Sequence, residues 1–302
     1  MFQIRFDGKA AIVTGSGAGI GRTYALELAR RGAMVVINDL GANLDGSGTS
    51  SSAADAVVDE IKKAGGKAVA NYDSVATAAG GENMVKTAVD TFGKIDIVIN
   101  NAGIVRDKSF VKMAEEEWDM VLSVHLKGSY NVTKAAWPIM REQNYGRVVF
   151  TSSGVGLYGN FGQANYAAAK MGMIGLMNTL RIEGAKNNIL INAIAPNAAS
   201  RMTKNIMPPQ LFERLKPDFI APLVAYLCSD QCKDSGMIFN CMGGWYSRTA
   251  IMCTNGVLLG DGKRDISAEE IMDNWGKITS LDGGKTLNSI AESFAYPMPL
   301  LK

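Results

Sequence analysis

Three side chains between residues 153 and 170 have the types and spacing needed to move a proton to or from an alcohol. Tyr166 lies thirteen residues after Ser153 and four before Lys170. Residues four apart share one face of a helix, so Tyr166 and Lys170 are predicted to point the same way. An ammonium stabilises a phenolate, so we expect Lys170 to lower the pKa of Tyr166. Tyr166 then exchanges a proton with the substrate oxygen, to which Ser153 also hydrogen-bonds.

The spacing of Tyr166 and Lys170 alone also fits a surface tyrosine and a solvated lysine on an alanine-rich helix. The surrounding elements favour the chemical interpretation. Short, continuously apolar runs alternate with helical patterns, which is typical of a parallel sheet covered on both faces by helices. This predicts a doubly wound, Rossmann-type α/β fold. The runs lie at residues 10–13, 34–37, 68–70, 95–99, 148–150, 189–194 and 236–239.

The first apolar run leads into a glycine-rich turn and then a helical stretch. Residues 14–21 read Thr-Gly-Ser-Gly-Ala-Gly-Ile-Gly. Glycines let the backbone turn tightly and approach a pyrophosphate at the amide-rich start of a helix. The general Gly-x-Gly-x-x-Gly fingerprint is not met, whereas Thr-Gly-x-x-x-Gly-x-Gly is. We predict cofactor contacts from Thr14, Gly15, Gly19, Ile20 and Gly21.

An acidic residue ends the second predicted strand, eighteen residues after Gly21. Asp39 at this position is expected to bind the adenosine ribose hydroxyls and to repel a 2′-phosphate, which favours NAD over NADP. Arg22 is a nearby cation that leaves NADP open, and a helix-capping or solvated Asp39 is the structural alternative. Residues 41–52, rich in Gly and Ser, are expected to form a flexible insertion.

The third predicted strand is followed by Asp73 and Ser74. In a doubly wound sheet this position borders the adenine of the cofactor. Asp73 is therefore a candidate acceptor for the exocyclic amine of adenine, with Ser74 beside it.

Residues 100–103 read Asn-Asn-Ala-Gly, where small residues let the backbone lie against a cofactor. Together with the 14–21 turn and with Ser153, Tyr166 and Lys170 in this order, they resemble the short-chain dehydrogenase/reductase family. The resemblance implies oxidation of an alcohol by a nicotinamide cofactor, with Lys170 also holding the nicotinamide ribose. Further cofactor contacts are then expected from Asn101, Ala102, Gly103, Tyr166 and Pro196.

His125 stands where most members of that family carry an asparagine that helps to hold a proton-relaying water. A neutral imidazole can do similar work through one ring nitrogen, so His125 is a candidate relay residue beside Lys170. The alternative is a core histidine whose ring nitrogens bond to the backbone. The sequence leaves both open.

Four segments narrow the resemblance within the family, at residues 102–110, 124–128, 158–166 and 194–203. They are similar to the (3R)-hydroxyacyl-CoA dehydrogenase units of peroxisomal multifunctional enzymes, also named 17β-hydroxysteroid dehydrogenases. The resemblance reaches about residue 296. It implies a homodimer that interconverts (3R)-3-hydroxyacyl-CoA and 3-oxoacyl-CoA with NAD in fatty-acid β-oxidation, in some proteins beside a fused hydratase domain. Such enzymes are peroxisomal in eukaryotes, and a bacterial one would be cytoplasmic.

Two other functions remain open. The same catalytic residues can act on a steroid alcohol or on an acyl-carrier-protein thioester. The second possible function is a scaffold that binds NAD without catalysis, although such a protein would not need Ser153, Tyr166 and Lys170 together.

Residues 196–219 are candidates for substrate contacts. Flexible apolar side chains suit an acyl chain, and basic side chains suit the phosphates of coenzyme A. Ordinary helix packing with a solvated basic face explains the same pattern. The apolar residues are Met202, Ile206, Met207, Leu211, Phe212 and Leu215, and the basic ones are Arg201, Lys204, Arg214 and Lys216.

The whole chain has 302 residues, 47% of them hydrophobic and 20% charged, which suits one α/β domain with an appendage. A net charge of +2 argues against nucleic-acid and membrane-surface partners. No apolar run approaches the roughly 20 residues of a membrane span, and a signal-peptide pattern is missing, so we expect an intracellular protein. The predicted units are an NAD-binding domain at 1–245 and a C-terminal extension at 246–302. The resemblance implies that the extension packs near a dimer partner's active site.

The four cysteines are Cys228, Cys232, Cys241 and Cys253. A Cys-x-x-x-Cys spacing without a second pair is a poor zinc site. We therefore predict buried free thiols, and neither a metal site nor a disulfide.

Overall fold

A computed structural model describes residues 3–199 and 208–301. The chain forms two compact units, Met1–Arg248 and Thr249–Lys302. This division falls within the strand Trp245–Thr249, which adds to the sheet of the first unit. The first unit contains every residue predicted to be catalytic or to bind the cofactor.

The first unit is built on an eight-stranded sheet in the order β3-β2-β1-β4-β5-β6-β7-β8. Neighbouring strands from β3 to β7 pair in parallel, which confirms the predicted doubly wound fold. Each predicted apolar run overlaps one strand, and β8 joins the edge through a two-residue turn. The strands are β1 (Ala10–Thr14), β2 (Met34–Asn38), β3 (Lys67–Asn71), β4 (Ile97–Asn100), β5 (Gly146–Thr151), β6 (Ile189–Pro196), β7 (Ile238–Met242) and β8 (Trp245–Thr249).

Helices follow most strands and cover the sheet on both faces. In the first unit they are α1 (Gly19–Arg30), α2 (Ser52–Lys63), α3 (Ala78–Phe92), α4 (Glu115–Leu122), α5 (Gly128–Gln143), α6 (Gly154–Tyr158), α7 (Ala164–Gly184), α8 (Pro209–Arg214) and α9 (Ala221–Cys228). A five-residue π-helical turn, Ser123–Lys127, joins α4 to α5.

Two apolar layers lie on opposite faces of the sheet because successive strand residues point to opposite sides. Val13 faces the layer formed with α1, α2 and α9, whereas its neighbour Ile12 faces the layer formed with α3, α5 and α7. This two-sided burial explains why the strands are continuously apolar.

The strand order reverses between β1 and β4, and both strands end at the same edge of the sheet. In doubly wound folds a ligand binds in the crevice outside the carboxyl ends of the strands at such a reversal. The glycine-rich turn follows β1 and the Asn-Asn-Ala-Gly segment begins at the last residue of β4, so the fold brings the two motifs together there.

The second unit has a two-stranded antiparallel sheet of β9 (Met252–Cys253) and β10 (Lys285–Thr286), with the helices α10 (Ala268–Asp273), α11 (Trp275–Ile278) and α12 (Ile290–Ala295). A capping box starts α10: the Ser267 hydroxyl accepts from Glu270 N, and the Glu270 carboxylate accepts from Ser267 N.

All four cysteines are free thiols within the described residues, but only Cys228, Cys232 and Cys241 are buried. The prediction of burial is wrong for Cys253, which is exposed on the small sheet of the second unit. Among residues 3–199 and 208–301, no helix is both long and apolar enough to cross a membrane.

Candidate active site

The turn between β1 and α1 leaves room for a phosphate. Gly15 has a φ of +62°, and a Cβ there would stand 2.8 Å from Ala102 Cα, so only glycine fits against the β4 edge. Gly19, the first residue of α1, has a φ of +56°, and no described heavy atom lies within 4 Å of where its Cβ would be. The N-cap residue Ala18 supplies no side-chain acceptor to the first peptide N–H groups of α1, which fits a pyrophosphate as their acceptor.

Two side chains predicted to bind the cofactor also hold this turn in place. The Thr14 hydroxyl accepts from the N–H groups of Asn101 at 2.9 Å and Ala102 at 3.0 Å. The Asn101 amide donates to the carbonyl oxygens of Thr14 at 2.9 Å and Gly15 at 3.0 Å. These bonds tie the end of β1 to the end of β4, so Thr14 and Asn101 shape the crevice through its backbone.

Asp39 follows β2, beside the glycine turn. Its carboxylate accepts from Gly17 N at 2.8 Å and from Gly41 N at 2.7 Å, which fixes a negative charge at the edge of the crevice. Arg22, the cation that left NADP open, pairs with Glu60 on α2. A carboxylate therefore borders the crevice at the end of β2, and the nearby cation is paired.

Asp73 follows β3, within a network of amides. Its carboxylate accepts from Asn71 Nδ2 at 2.8 Å and from Asn83 Nδ2 at 3.1 Å. The next residue, Ser74, uses its hydroxyl to accept from Ala76 N at 3.3 Å. Both residues lie at the same sheet edge as Asp39. The predicted contacts with adenine are expected at this edge.

The loop at residues 41–51 has defined contacts, although its composition predicted a flexible insertion. Val105 N donates to Leu44 O at 2.9 Å, and Arg106 Nε donates to Asp45 O at 2.8 Å. The loop leaves β2 and binds residues that follow β4, while β1 lies between these two strands. It therefore crosses the carboxyl end of β1, where the dinucleotide site is predicted.

The four predicted catalytic residues come from three segments. Ser153 follows β5 and is the N-cap of α6, with its hydroxyl accepting from Val155 N at 3.1 Å. Tyr166 and Lys170 lie on successive turns of α7, and the Lys170 ammonium is 5.4 Å from the centre of the Tyr166 ring. His125, on the π-helical turn, meets the same ring edge-on at 5.1 Å between ring centres. The predicted group is therefore assembled around Tyr166.

Lys170 is only 3% exposed, and its ammonium donates to Thr151 O at 2.6 Å. Burial lowers the pKa of Lys170 from 10.5 to about 7, because the charged form loses its hydration. Lys170 can therefore both bind and release a proton near neutral pH.

Burial also governs Tyr166, in the opposite direction. It raises the pKa of Tyr166 above its usual value; a hydrogen bond with Ser153 opposes this rise, and the negative charge of Asp107 adds to it. The prediction that Lys170 lowers the pKa of Tyr166 is therefore wrong for the chain by itself. The physical reason is that desolvation of the buried phenol dominates, while the Lys170 ammonium donates to Thr151 O.

His125 is 1% exposed and lies against Ile104. Its Nε2 is 3.0 Å from Ile104 N and 2.8 Å from Ile104 O, so one residue offers this nitrogen both a donor and an acceptor. Nδ1 is buried without a hydrogen-bond partner among the described residues. Burial and the charge of Lys170 hold the pKa of His125 well below its usual value, so the ring is neutral. One ring nitrogen is therefore bonded to the backbone, as expected of a core histidine, and the other is unpaired among the described residues, so the relay role stays a prediction.

Asp107 was not predicted as a site residue, although it lies in a segment that carries the family resemblance. It accepts from Gln163 Nε2 at 2.9 Å, just before the helix that carries Tyr166. Burial raises the pKa of Asp107 as well. Its position beside Tyr166 depends on a contact between distant segments, which local sequence spacing does not reveal.

The predicted substrate residues are only partly described. Arg201, Met202, Lys204, Ile206 and Met207 lie outside the described residues. Of the remainder, Leu215 is buried, Phe212 is half-buried, and Leu211, Arg214 and Lys216 are exposed.

Three further predicted cofactor residues lie at the carboxyl edge of the sheet. Ala102 and Gly103 follow β4, and Pro196 ends β6. A Cβ on Gly103 would stand 2.3 Å from His125 Cε1, so a glycine is needed where this segment meets the histidine. This contact joins the cofactor edge to the group around Tyr166.

Comparisons with known proteins agree with this geometry. The chain is 53% identical over 290 residues to the peroxisomal multifunctional enzyme type 2 of Mus musculus, covering 96% of this chain and 39% of the mouse protein. A short-chain type dehydrogenase/reductase of Mycobacterium tuberculosis is 52% identical over 277 residues, covering 92% of this chain and 96% of that protein.

A solved structure extends the likeness to three dimensions. The full-length peroxisomal multifunctional enzyme type 2 of Drosophila melanogaster superimposes with a TM-score of 0.84 at 44% identity, covering 99% of this chain and 50% of that one. The chain thus spans half of the fly enzyme and less of the mouse one. It also matches the short chain dehydrogenase family over residues 9–210, which include the glycine turn, Ser153, Tyr166 and Lys170. The chain therefore belongs to the short-chain dehydrogenase family.

Proposed function

We propose that this chain is an NAD-dependent dehydrogenase that interconverts (3R)-3-hydroxyacyl-CoA and 3-oxoacyl-CoA in fatty-acid β-oxidation. The observation that carries the proposal is the grouping of Ser153, Tyr166 and Lys170 beside the crevice at the β1 and β4 ends. The names of the mouse and fly relatives support the substrate class, since those proteins are peroxisomal multifunctional enzymes.

The catalytic roles follow from the site. Bound NAD would supply the acceptor for the hydride that leaves the alcohol carbon. Tyr166 takes the hydroxyl proton, and Ser153 donates a hydrogen bond to the substrate oxygen as the carbonyl forms. Lys170 holds the nicotinamide ribose and, with a pKa of about 7, is suited to exchange protons between Tyr166 and solvent.

His125 is proposed as a neutral member of the proton relay. Ile104 supports either neutral tautomer, because its carbonyl accepts from a protonated Nε2 and its N–H donates to an unprotonated one. Nδ1 can therefore accept or donate without loss of the backbone contact. A nitrogen of this kind, close to Tyr166 and Lys170, suits proton transfer.

The cofactor preference rests on charge and on the glycine turn. Asp39 at the end of β2 and the pairing of Arg22 with Glu60 favour NAD over NADP. Asp73, Ser74 and the backbone near residues 102 and 103 are proposed to complete the contacts, with Thr14, Gly15, Gly19, Ile20, Gly21, Asn101, Tyr166 and Pro196.

A homodimer and a cellular location are part of the proposal. Exposed apolar side chains on α5 and α7 support association of two copies; they include Tyr130, Met171 and Ile182. The length of the mouse and fly relatives supports a further domain, such as a hydratase, in the natural protein. The location would be the peroxisome in a eukaryotic source, as the names of those relatives say, and the cytoplasm in a bacterial one.

The test is NADH formation from medium-chain (3R)- and (3S)-3-hydroxyacyl-CoA, with NADP run in parallel. We expect oxidation of the R form alone, with NAD. Activity on a steroid alcohol but on neither thioester would retain the catalytic residues and reject the substrate. Inactivity on the thioesters and on the steroid alcohol, with tight NAD binding, would favour a non-catalytic scaffold.

A further inference from the structure

Asn165, the residue before Tyr166, joins three segments of the site. It is fully buried, with 0% of its surface exposed. Its amide donates to Arg106 O at 3.1 Å, in the segment after β4, and to Glu117 O at 3.0 Å, in α4. Its side-chain oxygen accepts from Tyr166 N at 2.8 Å. Every polar atom of this side chain is thus bonded to backbone.

These bonds replace the usual cap at the start of α7. The first N–H groups of a helix need acceptors from outside the helix, which the N-cap side chain commonly supplies. At the N-cap of α7, the Gln163 side chain is instead bonded to Asp107 and Asn160. Asn165 supplies the acceptor for Tyr166, and its amide fixes the first turn to two other segments.

We propose that Asn165 is a positioning residue that holds Tyr166 at the orientation required for proton transfer. This inference rests on the proposed function, since it takes Tyr166 as the catalytic acid and base. A tyrosine hydroxyl lies far from its own backbone, so a small rotation of the first turn of α7 moves the hydroxyl considerably. Catalytic rates respond steeply to such movements, and a displacement of 1 Å can cost about 100-fold.

The test compares Asn165→Ala with a matched variant, Asn192→Ala. Asn192 in β6 is 1% exposed, donates to Asp234 O at 2.8 Å and accepts from Met237 N at 3.0 Å. Both variants remove a buried amide that bridges backbone groups, so both should lower the thermal midpoint. Only Asn165 touches the helix turn that carries Tyr166.

We expect Asn165→Ala to lower kcat and the single-turnover rate of NADH formation by about 100-fold. The dissociation constant of NADH and the KM for the thioester should change little, since the glycine turn and Asp39 stay intact. Asn192→Ala should retain the kcat of the unmodified protein. A drop in kcat without a change in KM distinguishes misplacement of Tyr166 from a general loss of structure.

A second variant separates the accepted hydrogen bond from the two donated ones. Asn165→Asp keeps the size of the side chain and the acceptor for Tyr166 N, but it loses the two donated bonds; it should also lower kcat. The proposal would be overturned if either Asn165 variant folded and had the same kcat as Asn192→Ala. An equal fall in kcat in Asn192→Ala would also overturn it.

Tyr166→Phe separates this inference from the proposed function. If that variant retains turnover, the catalytic assignment itself fails. If it is inactive while a folded Asn165 variant is fully active, only the role of Asn165 fails.

Discussion

Lys170 and Tyr166 both lose water on folding, and burial shifts their pKa values in opposite directions. The pKa of Lys170 falls to about 7, whereas that of Tyr166 rises, because burial penalises an ammonium and a phenolate alike. A hydrogen bond with Ser153 acts against the rise at Tyr166. At the scale of single residues, burial thus favours the neutral form of both groups.

Tyr166→Phe removes the hydroxyl and leaves the ring in place. Turnover should fall by at least about 10²- to 10⁴-fold, the usual contribution of a general acid and base. NAD affinity, measured by fluorescence titration of NADH, should be nearly unchanged. Tyr226→Phe on α9 is the control for the loss of a phenol and should retain full activity. Substantial turnover by Tyr166→Phe would contradict the assignment.

Lys170→Met tests the pKa of the buried ammonium through stability. The pKa of Lys170 is lower in the folded state, about 7, than in the unfolded state. Between these values the unfolded chain binds more protons, so the contribution of Lys170 to stability rises with pH, by at most about 1.4 kcal/mol per pH unit. Below the pKa of the folded state Lys170 is charged in both states, so the cost of burying the ammonium lowers the free energy of unfolding by its full amount.

Urea unfolding of both proteins, measured from about pH 6 to about pH 9.5, checks this expectation. The free energy of unfolding of the unmodified protein should rise relative to Lys170→Met above pH 7. Parallel profiles would mean that Lys170 keeps an ordinary pKa in the folded protein.

At the scale of elements, the loop at residues 41–51 closes one side of the crevice. It crosses the end of β1 and is fastened to Val105 and Arg106 beyond β4. The segment after β4 to which the loop is fastened also contacts the group around Tyr166: Ile104 contacts His125, and Arg106 O accepts from Asn165. One short stretch after β4 therefore contacts both the cofactor edge and the group around Tyr166.

Arg106→Ala should loosen this loop, because it removes the bond from Nε to Asp45 O. The backbone bonds of Val105 N to Leu44 O and of Asn165 to Arg106 O remain. We expect NADH to bind about tenfold more weakly, which corresponds to about 1.4 kcal/mol. The measurement is the dissociation rate of NADH by stopped-flow fluorescence. Glu116→Gln, which breaks only the ion pair of Arg106 with α4, is the control and should retain tight binding. Equal rates in all three proteins would show that the loop does not retain the cofactor.

At the scale of the whole molecule, membership of the short-chain dehydrogenase family agrees with the eight-stranded, mainly parallel sheet of the first unit. The chain also corresponds to only part of the mouse and fly enzymes, whereas it covers nearly all of the mycobacterial relative. The dehydrogenase fold thus occurs both alone and within larger proteins.

We expect a solution mass twice the 32.2 kDa of one chain. Tyr130→Glu places a charge on the exposed apolar surface of α5 and should shift the protein towards the monomer. Tyr226→Glu changes a similarly exposed tyrosine on α9 and is the matched control. Light scattering after size exclusion measures both, and a monomeric unmodified protein would refute the dimer.

Many features of the fold and of the candidate site were predictable from local sequence. The continuously apolar runs identified the strands of the parallel sheet up to β7, and the spacing of Tyr166 and Lys170 placed both on α7. These features depend on neighbouring residues, since hydrophobic periodicity and helical spacing are local properties. The glycine turn was likewise recognisable because its backbone conformation requires particular residues.

Other features were decided only by the tertiary structure. Asp107 and Asn165 acquire their roles through contacts with segments far away in the chain, and loop 41–51 is held by residues that follow another strand. The pKa of Tyr166 depends on how deeply the fold buries the ring, which the spacing to Lys170 does not show. Sequence by itself determined which residue types and elements were present. Folding decided which of them lose water and meet, because desolvation and long-range contacts exist only in the packed chain.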